Sequence, residues 1–124
     1  KKTMYLIRKQ FHFSASHQLD GLPAEHQCAR LHGHNYIVEI VLQATAVDKN
    51  GFVVDYLDLK PFKDYIDHTL DHHHLNDLFD FPTSAENLAY HLFCWAKAKW
   101  PQVSGMRVSE TPKTWAEYWE DTPR

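Results

Sequence analysis

Cysteine, glycine and an excess of charge of one sign are all scarce in this chain, and each scarcity closes off a class of function. Two cysteines, Cys28 and Cys94, in 124 residues are too few for a disulfide scaffold, so reduced thiols in a cytosol are expected. Thirteen Lys and Arg against 16 Asp and Glu leave no basic footprint for a nucleic-acid backbone. No stretch approaches the roughly 20 apolar residues that span a bilayer, and KKTMYLIRKQ lacks the apolar centre of a secretion signal. The expectation is therefore a soluble cytoplasmic protein with neither membrane nor direct nucleic acid as a partner. Four glycines and six prolines, scattered, give no linker, repeat or low-complexity tract, so residues 1–124 are expected to form a single domain. With 44% hydrophobic residues the chain can bury a core, although one this small often gains site walls from neighbouring subunits.

Against these absences stand ten histidines, the residue most used as a metal ligand and as an acid–base group near neutral pH. From Tyr5 to His17, the residues Tyr5, Ile7, Phe11, Phe13, Ala15 and His17 share the two-residue period of a half-buried strand. A loop, QLDGLPAEHQCAR, follows. A second strand from His32 to Ala46 then puts His32, His34, Tyr36, Val38, Ile40 and Leu42 on one side. Asn50-Gly51 signals a hairpin into a third strand, GFVVDY. Asp58 is placed to cap a helix carrying Leu59, Phe62, Ile66 and Leu70, with Pro61 tolerated in its first turn. A second helix opens at Thr83 with the capping box T-S-A-E and runs through Leu88, Leu92, Trp95 and Trp100 to Pro101. GMRVSET and TWAEYWE close the chain as strands. The predicted class is α+β, an antiparallel sheet with both helices on one face.

Three imidazoles fill three corners of a tetrahedral zinc site and leave the fourth open, which is the arrangement of catalytic zinc. His32 and His34, two apart on a strand, point the same way, and His17 at the end of the neighbouring apolar face is the natural third. The bland alternative is a set of strand-end histidines, and cupin-type metal sites also use His-x-His. A cupin dioxygenase, however, expects a longer double-sheet barrel, not two central helices. Cys28, four residues before His32, is either a thiolate made available by a nearby cation or a fourth ligand that would close the site. Asp71-His72 is a second acid–base candidate if the carboxylate orients the imidazole, and otherwise a polar helix end. His73 and His74 are expected to be solvated. Glu110 lies on the even face with Met106 and Val108, where it would suit a ligand with two parallel N–H groups; the alternative is a solvent-exposed strand end.

Taken together, FSASH, C-A-R-L-HGHNY, NGFVVDY-x-x-LK, LDHHHLND, PTSAENLA and the terminal SET resemble, nearly end to end, the 6-pyruvoyl-tetrahydropterin synthase and 6-carboxy-tetrahydropterin synthase family. The resemblance implies the T-fold, assembled into homohexamers as dimers of trimers with active sites between subunits. It implies His17, His32 and His34 as zinc ligands, Cys28 as general base, Asp71 with His72 as the second proton-transfer pair, and Glu110 as the pterin anchor. Glu86 is implied less specifically, since a capping role explains it equally. Only Ala29-Arg30-Leu31 separates Cys28 from His32, where pyruvoyl-forming members carry a longer gap, so the chain resembles the bacterial carboxy-forming branch. The implied reaction converts 7,8-dihydroneopterin triphosphate to 6-carboxy-tetrahydropterin, acetaldehyde and triphosphate, on the route to queuosine. The alternatives are the pyruvoyl-forming activity and pterin binding without turnover. His74 stands where some relatives have an aromatic residue, and Arg30 and Lys113 are triphosphate candidates on charge alone.

Overall fold

A computed structural model describes residues 3–120. In chain order the elements are β1 (Tyr5–His17), β2 (His32–Ala44), α1 (Lys60–Tyr65), β3 (His73–His74), α2 (Leu75–Leu78), α3 (Ala85–Lys97), β4 (Val103–Thr111) and β5 (Thr114–Trp119). β1 and β2 pair antiparallel along their whole length, from Tyr5 opposite Ala44 to His17 opposite His32. This register puts Phe11, Phe13 and Ala15 on the same face as Tyr36, Val38, Ile40 and Leu42, and all seven are buried. A slip of one residue would expose them all. Leu59, Phe62, Ile66 and Leu70 from the first helical segment, with Leu88, Ala89, Leu92 and Ala96 from α3, cover that face. Phe62 meets Phe11 edge to face at 5.2 Å.

The sheet is mixed. Its order is β3-β1-β2-β4-β5, and the two-residue β3 runs parallel to β1, where the strand pattern predicts a wholly antiparallel sheet. GFVVDY forms no strand. Asp48 Oδ1 accepts from the backbone N–H groups of Asn50 and Phe52, and Gly51 takes φ +88°, so the turn closes on itself. Both edges of β2 are already taken by β1 and β4, which leaves a returning hairpin strand nothing beside β2 to pair with.

The helices also depart from the sequence pattern at their ends. Asp55, not Asp58, is the capping side chain; it accepts from Leu57 N at the start of a 3-10 turn that leads into α1. α1 gives way after Tyr65 to a π-helical turn, Ile66–Leu70, closed by Asp71 N donating to Ile66 O at 2.9 Å. Such turns are rare and concentrate at functional sites; this one delivers Asp71 to the edge of β1. α3 is capped by Ser84, which accepts from Asn87 N, rather than by Thr83, whose oxygens are engaged elsewhere. Trp100 lies beyond the end of α3.

Candidate metal centre

The full pairing of β1 with β2 sets His17 directly opposite His32, and the strand alternation sets His34 beside them. Their rings pack edge to face, with centroids 4.5 to 5.1 Å apart, and one ring nitrogen from each lies within 4.8 Å of the others. His17 Nδ1 donates to the Thr83 carbonyl at 2.8 Å and lies 3.2 Å from its hydroxyl; His32 Nδ1 donates to the Arg30 carbonyl at 2.6 Å. A carbonyl only accepts, so the proton of each neutral ring stands on Nδ1 and the Nε2 lone pair is free, as in metal-ligating histidines generally. Nε2 of His17 and of His34 is buried without a hydrogen-bond partner. Buried polar atoms are seldom left so. Zinc, bound by imidazole nitrogens at about 2.0–2.1 Å, fits this donor set after a small inward turn of the rings.

Glu110, near the end of β4, joins the cluster instead of ending in solvent. Its Oε2 lies 3.3 Å from His17 Nε2 and 3.3 Å from His34 Nε2, without forming a hydrogen bond to either. A carboxylate oxygen 3.3 Å from two ring nitrogens, one of them fixed as a lone pair by the Thr83 carbonyl, marks a place for a cation or for a ligand's N–H groups. Burial lowers the His34 imidazole, against the pull of Glu110. Burial, with the Glu110 charge behind it, pushes the Tyr36 phenol far above its ordinary value.

Cys28 lines a cavity of about 530 Å³ together with Arg30, Leu31, His32 and His34. The thiol is half-buried and unpaired, and it stands outside the three-nitrogen cluster. A single 3-10 turn, Gln27–Ala29, carries Cys28, with His26 Nδ1 accepting from its N–H.

Asp71 and His72 do form a pair: His72 Nδ1 lies 2.8 Å from Asp71 Oδ2. Asp71 Oδ1 accepts from Ser14 N at 2.8 Å, and that bond, then His72, holds the carboxyl below its usual range. The His72 backbone is left-handed, φ 60°, an uncommon conformation for a residue with a side chain. The pair sits not at the histidine cluster but at the edge of β1, beside Ser14, whose hydroxyl bonds Asn35 across the face turned away from the helices. There His72 borders a cavity of about 420 Å³ with Ser14, Ser16 and Asn35; His34 contributes to this cavity as well as to that of Cys28, so the two lie back to back across β2. His74, expected in solvent, is half-buried with Nδ1 2.9 Å from Ser16 Oγ, whereas His73 is exposed. Glu86 is exposed in the first turn of α3, and Lys113 is exposed at the turn between β4 and β5. Sequence patterns missed the Thr83 and Arg30 carbonyls, because a backbone acceptor has no side-chain signature, and they missed Tyr36, which reads as an ordinary strand aromatic.

The family model described as 6-pyruvoyl tetrahydropterin synthase matches residues 6–121. The chain is 33% identical over 122 residues to a 6-carboxy-5,6,7,8-tetrahydropterin synthase of Synechocystis, covering 93% of each chain. It is 36% identical over 105 residues to an Archaeoglobus fulgidus protein provisionally given the same name, covering 85% of this chain and 87% of that one. The Caenorhabditis elegans 6-pyruvoyl tetrahydropterin synthase structure superposes with a TM-score of 0.83 at 25% identity, covering 97% of this chain and 98% of that one. The architecture is the T-fold, and the chain belongs to the 6-pyruvoyl tetrahydropterin synthase family.

Proposed function

We propose that the protein is a zinc-dependent lyase that converts 7,8-dihydroneopterin triphosphate and one water to 6-carboxy-tetrahydropterin, acetaldehyde and triphosphate, a step toward queuosine. The observation that carries this reading is the convergence of His17, His32 and His34, with Glu110 Oε2 3.3 Å from two of them and Cys28 lining the adjoining cavity. His17, His32 and His34 would hold the zinc, which supplies Lewis-acid polarisation of the substrate's side-chain oxygens. Glu110 accepts from the pterin's ring amide N–H and exocyclic amine, two parallel donors that match its two oxygens. Cys28 takes a proton from the substrate side chain as general base. His72, its Nδ1 tied to Asp71, keeps Nε2 for the second proton transfer. Relatives named as carboxy-forming synthases at 33% and 36% identity favour this product over the pyruvoyl one.

Asp71 and His72 serve a neighbouring subunit's metal centre in this reading, within a homohexamer whose active sites lie between chains. Its support is their position at the outer edge of β1, beside Ser14 and away from the histidine cluster, and the 81% exposure of the His72 side chain, which leaves it free to reach another copy. Exposed Leu31, Phe52, Tyr56 and Leu57 offer apolar surface for such contacts. Incubating the zinc-loaded protein with 7,8-dihydroneopterin triphosphate and identifying the pterin product by mass spectrometry tests the function. A 6-carboxy product with acetaldehyde supports it, a 6-pyruvoyl product replaces it with the sister activity, and an unchanged substrate defeats the lyase reading.

A further inference from the structure

Three buried side-chain atoms among the described residues lack a hydrogen-bond partner: Nε2 of His17, Nε2 of His34, and Oη of Tyr36. A metal accounts for the first two and does nothing for the third. Tyr36 has no solvent exposure, and a buried hydroxyl without a partner is uncommon enough to need a reason. Its ring is clamped, stacked on Phe13 at 4.6 Å with planes 7° apart, while the rings of His34 and His17 stand edge-on at 5.4 and 6.2 Å. A ring held on these sides cannot swing its hydroxyl away, so the partner must come to it. β2 and β4 pair Ile37 with Ser109, and the next step of the same antiparallel register sets Tyr36 beside Glu110. The carboxylate oxygen lies instead 3.3 Å from Nε2 of His17 and of His34, without a hydrogen bond to either.

We propose that Tyr36 is the positioning residue for Glu110: in the metal-loaded protein its O–H donates to the Glu110 carboxylate and sets the plane in which that carboxylate meets a pterin's N–H groups. The proposal rests on the reading of Glu110 as pterin anchor. It also explains why a strand position that packing alone would fill with phenylalanine carries a hydroxyl whose bond is not made until the site is loaded.

Tyr36→Phe removes the oxygen and keeps the stack on Phe13. Zinc content and melting temperature should stay at or above the wild-type level. The calorimetric affinity of the zinc-loaded protein for 7,8-dihydroneopterin should fall about 10–100-fold, the range for one hydrogen bond to a charged group. In a Glu110→Ala background, which removes the acceptor altogether, the same substitution should change affinity by less than about twofold. Unchanged affinity of Tyr36→Phe alone, or an equal loss in both backgrounds, overturns the proposal. In a crystal structure of the zinc-loaded protein Oη should lie within about 2.5–3.0 Å of a Glu110 oxygen. That distance decides the matter even if Tyr36→Phe fails to fold; a longer one overturns the proposal. Failure of the wild-type protein to bind dihydroneopterin instead removes the pterin reading and leaves the Tyr36–Glu110 contact to be judged by the distance.

Discussion

At the scale of single residues, His17 and His32 each have a backbone carbonyl behind the ring, as His68 and His73 do, but only His17 and His32 also converge with a third imidazole, that of His34. With Nδ1 committed to Thr83 and Arg30, Nε2 is presented as an acceptor at no further orienting cost. His32→Ala or His34→Ala should therefore reduce zinc from about one per chain to near zero, as elemental analysis of the purified variants would read, because two imidazoles are a poor site for the ion. Zinc unchanged in both variants would end the assignment. Cys28 stands outside the nitrogen cluster, and its substitution should separate binding from chemistry. Cys28→Ala is expected to keep zinc and melting temperature while single-turnover rates fall about 10²–10⁴-fold, the usual loss on removing a positioned acid–base group. A joint loss of zinc and stability would make Cys28 a structural ligand instead.

At the scale of elements, the site depends on how strands end. β1 stops at His17 and β2 starts at His32, so the loop between them carries Cys28 past the cluster, and β4 turns Glu110 toward it one residue beyond the Ile37–Ser109 pair. β4 is in turn held by β5, whose Trp119 lies over Gly105: a Cβ added there would come 2.5 Å from Trp119 Cε3 and 2.7 Å from Cδ2. Gly105→Ala should displace the indole and loosen the β4–β5 pairing, lowering stability by about 1–3 kcal/mol, as overpacking typically does. Thermal melts and a shift in tryptophan emission would register this, and an unchanged melt would mean that Trp119 moves aside without strain. The π-helical turn has the opposite role, since it ends a helix early so that Asp71 reaches the Ser14 amide.

At the scale of the whole molecule, Cys28 and His72 border separate cavities, which makes the proposed sharing of a site between chains directly testable. Cys28→Ala and His72→Ala should each be nearly inactive alone. Co-expressed, they should form mixed oligomers in which about one site in four joins an intact Cys28 from one chain to an intact His72 from another, restoring roughly a quarter of the activity. Mixed preparations as inactive as the parents would show that each chain uses its own pair. Among the described residues no helix is long and apolar enough to cross a membrane.

Local rules are enough for the elements whose periodicity is long and unbroken. The strand predicted from Tyr5 to His17 matches β1 in its bounds, although Tyr5 itself is exposed, and the same period places His32, His34 and Tyr36 on one face, so the histidine cluster is legible from strand alternation. Side-chain identity leaves open whether the neighbours Asp71 and His72 touch, and it gives no sign of the carbonyls that orient the ligands. The fate of GFVVDY is decided by the occupancy of both edges of β2, which is a property of the assembled sheet. Thr83 loses its capping role to Ser84 because its oxygens meet His17 from 66 residues away, and Glu110 becomes part of the cluster only when β4 docks against β2. Periodicity reports which side of an element is buried; it carries no information about what a distant segment will place against that side, and hydrogen-bond partners and electrostatic neighbours come from those distant contacts.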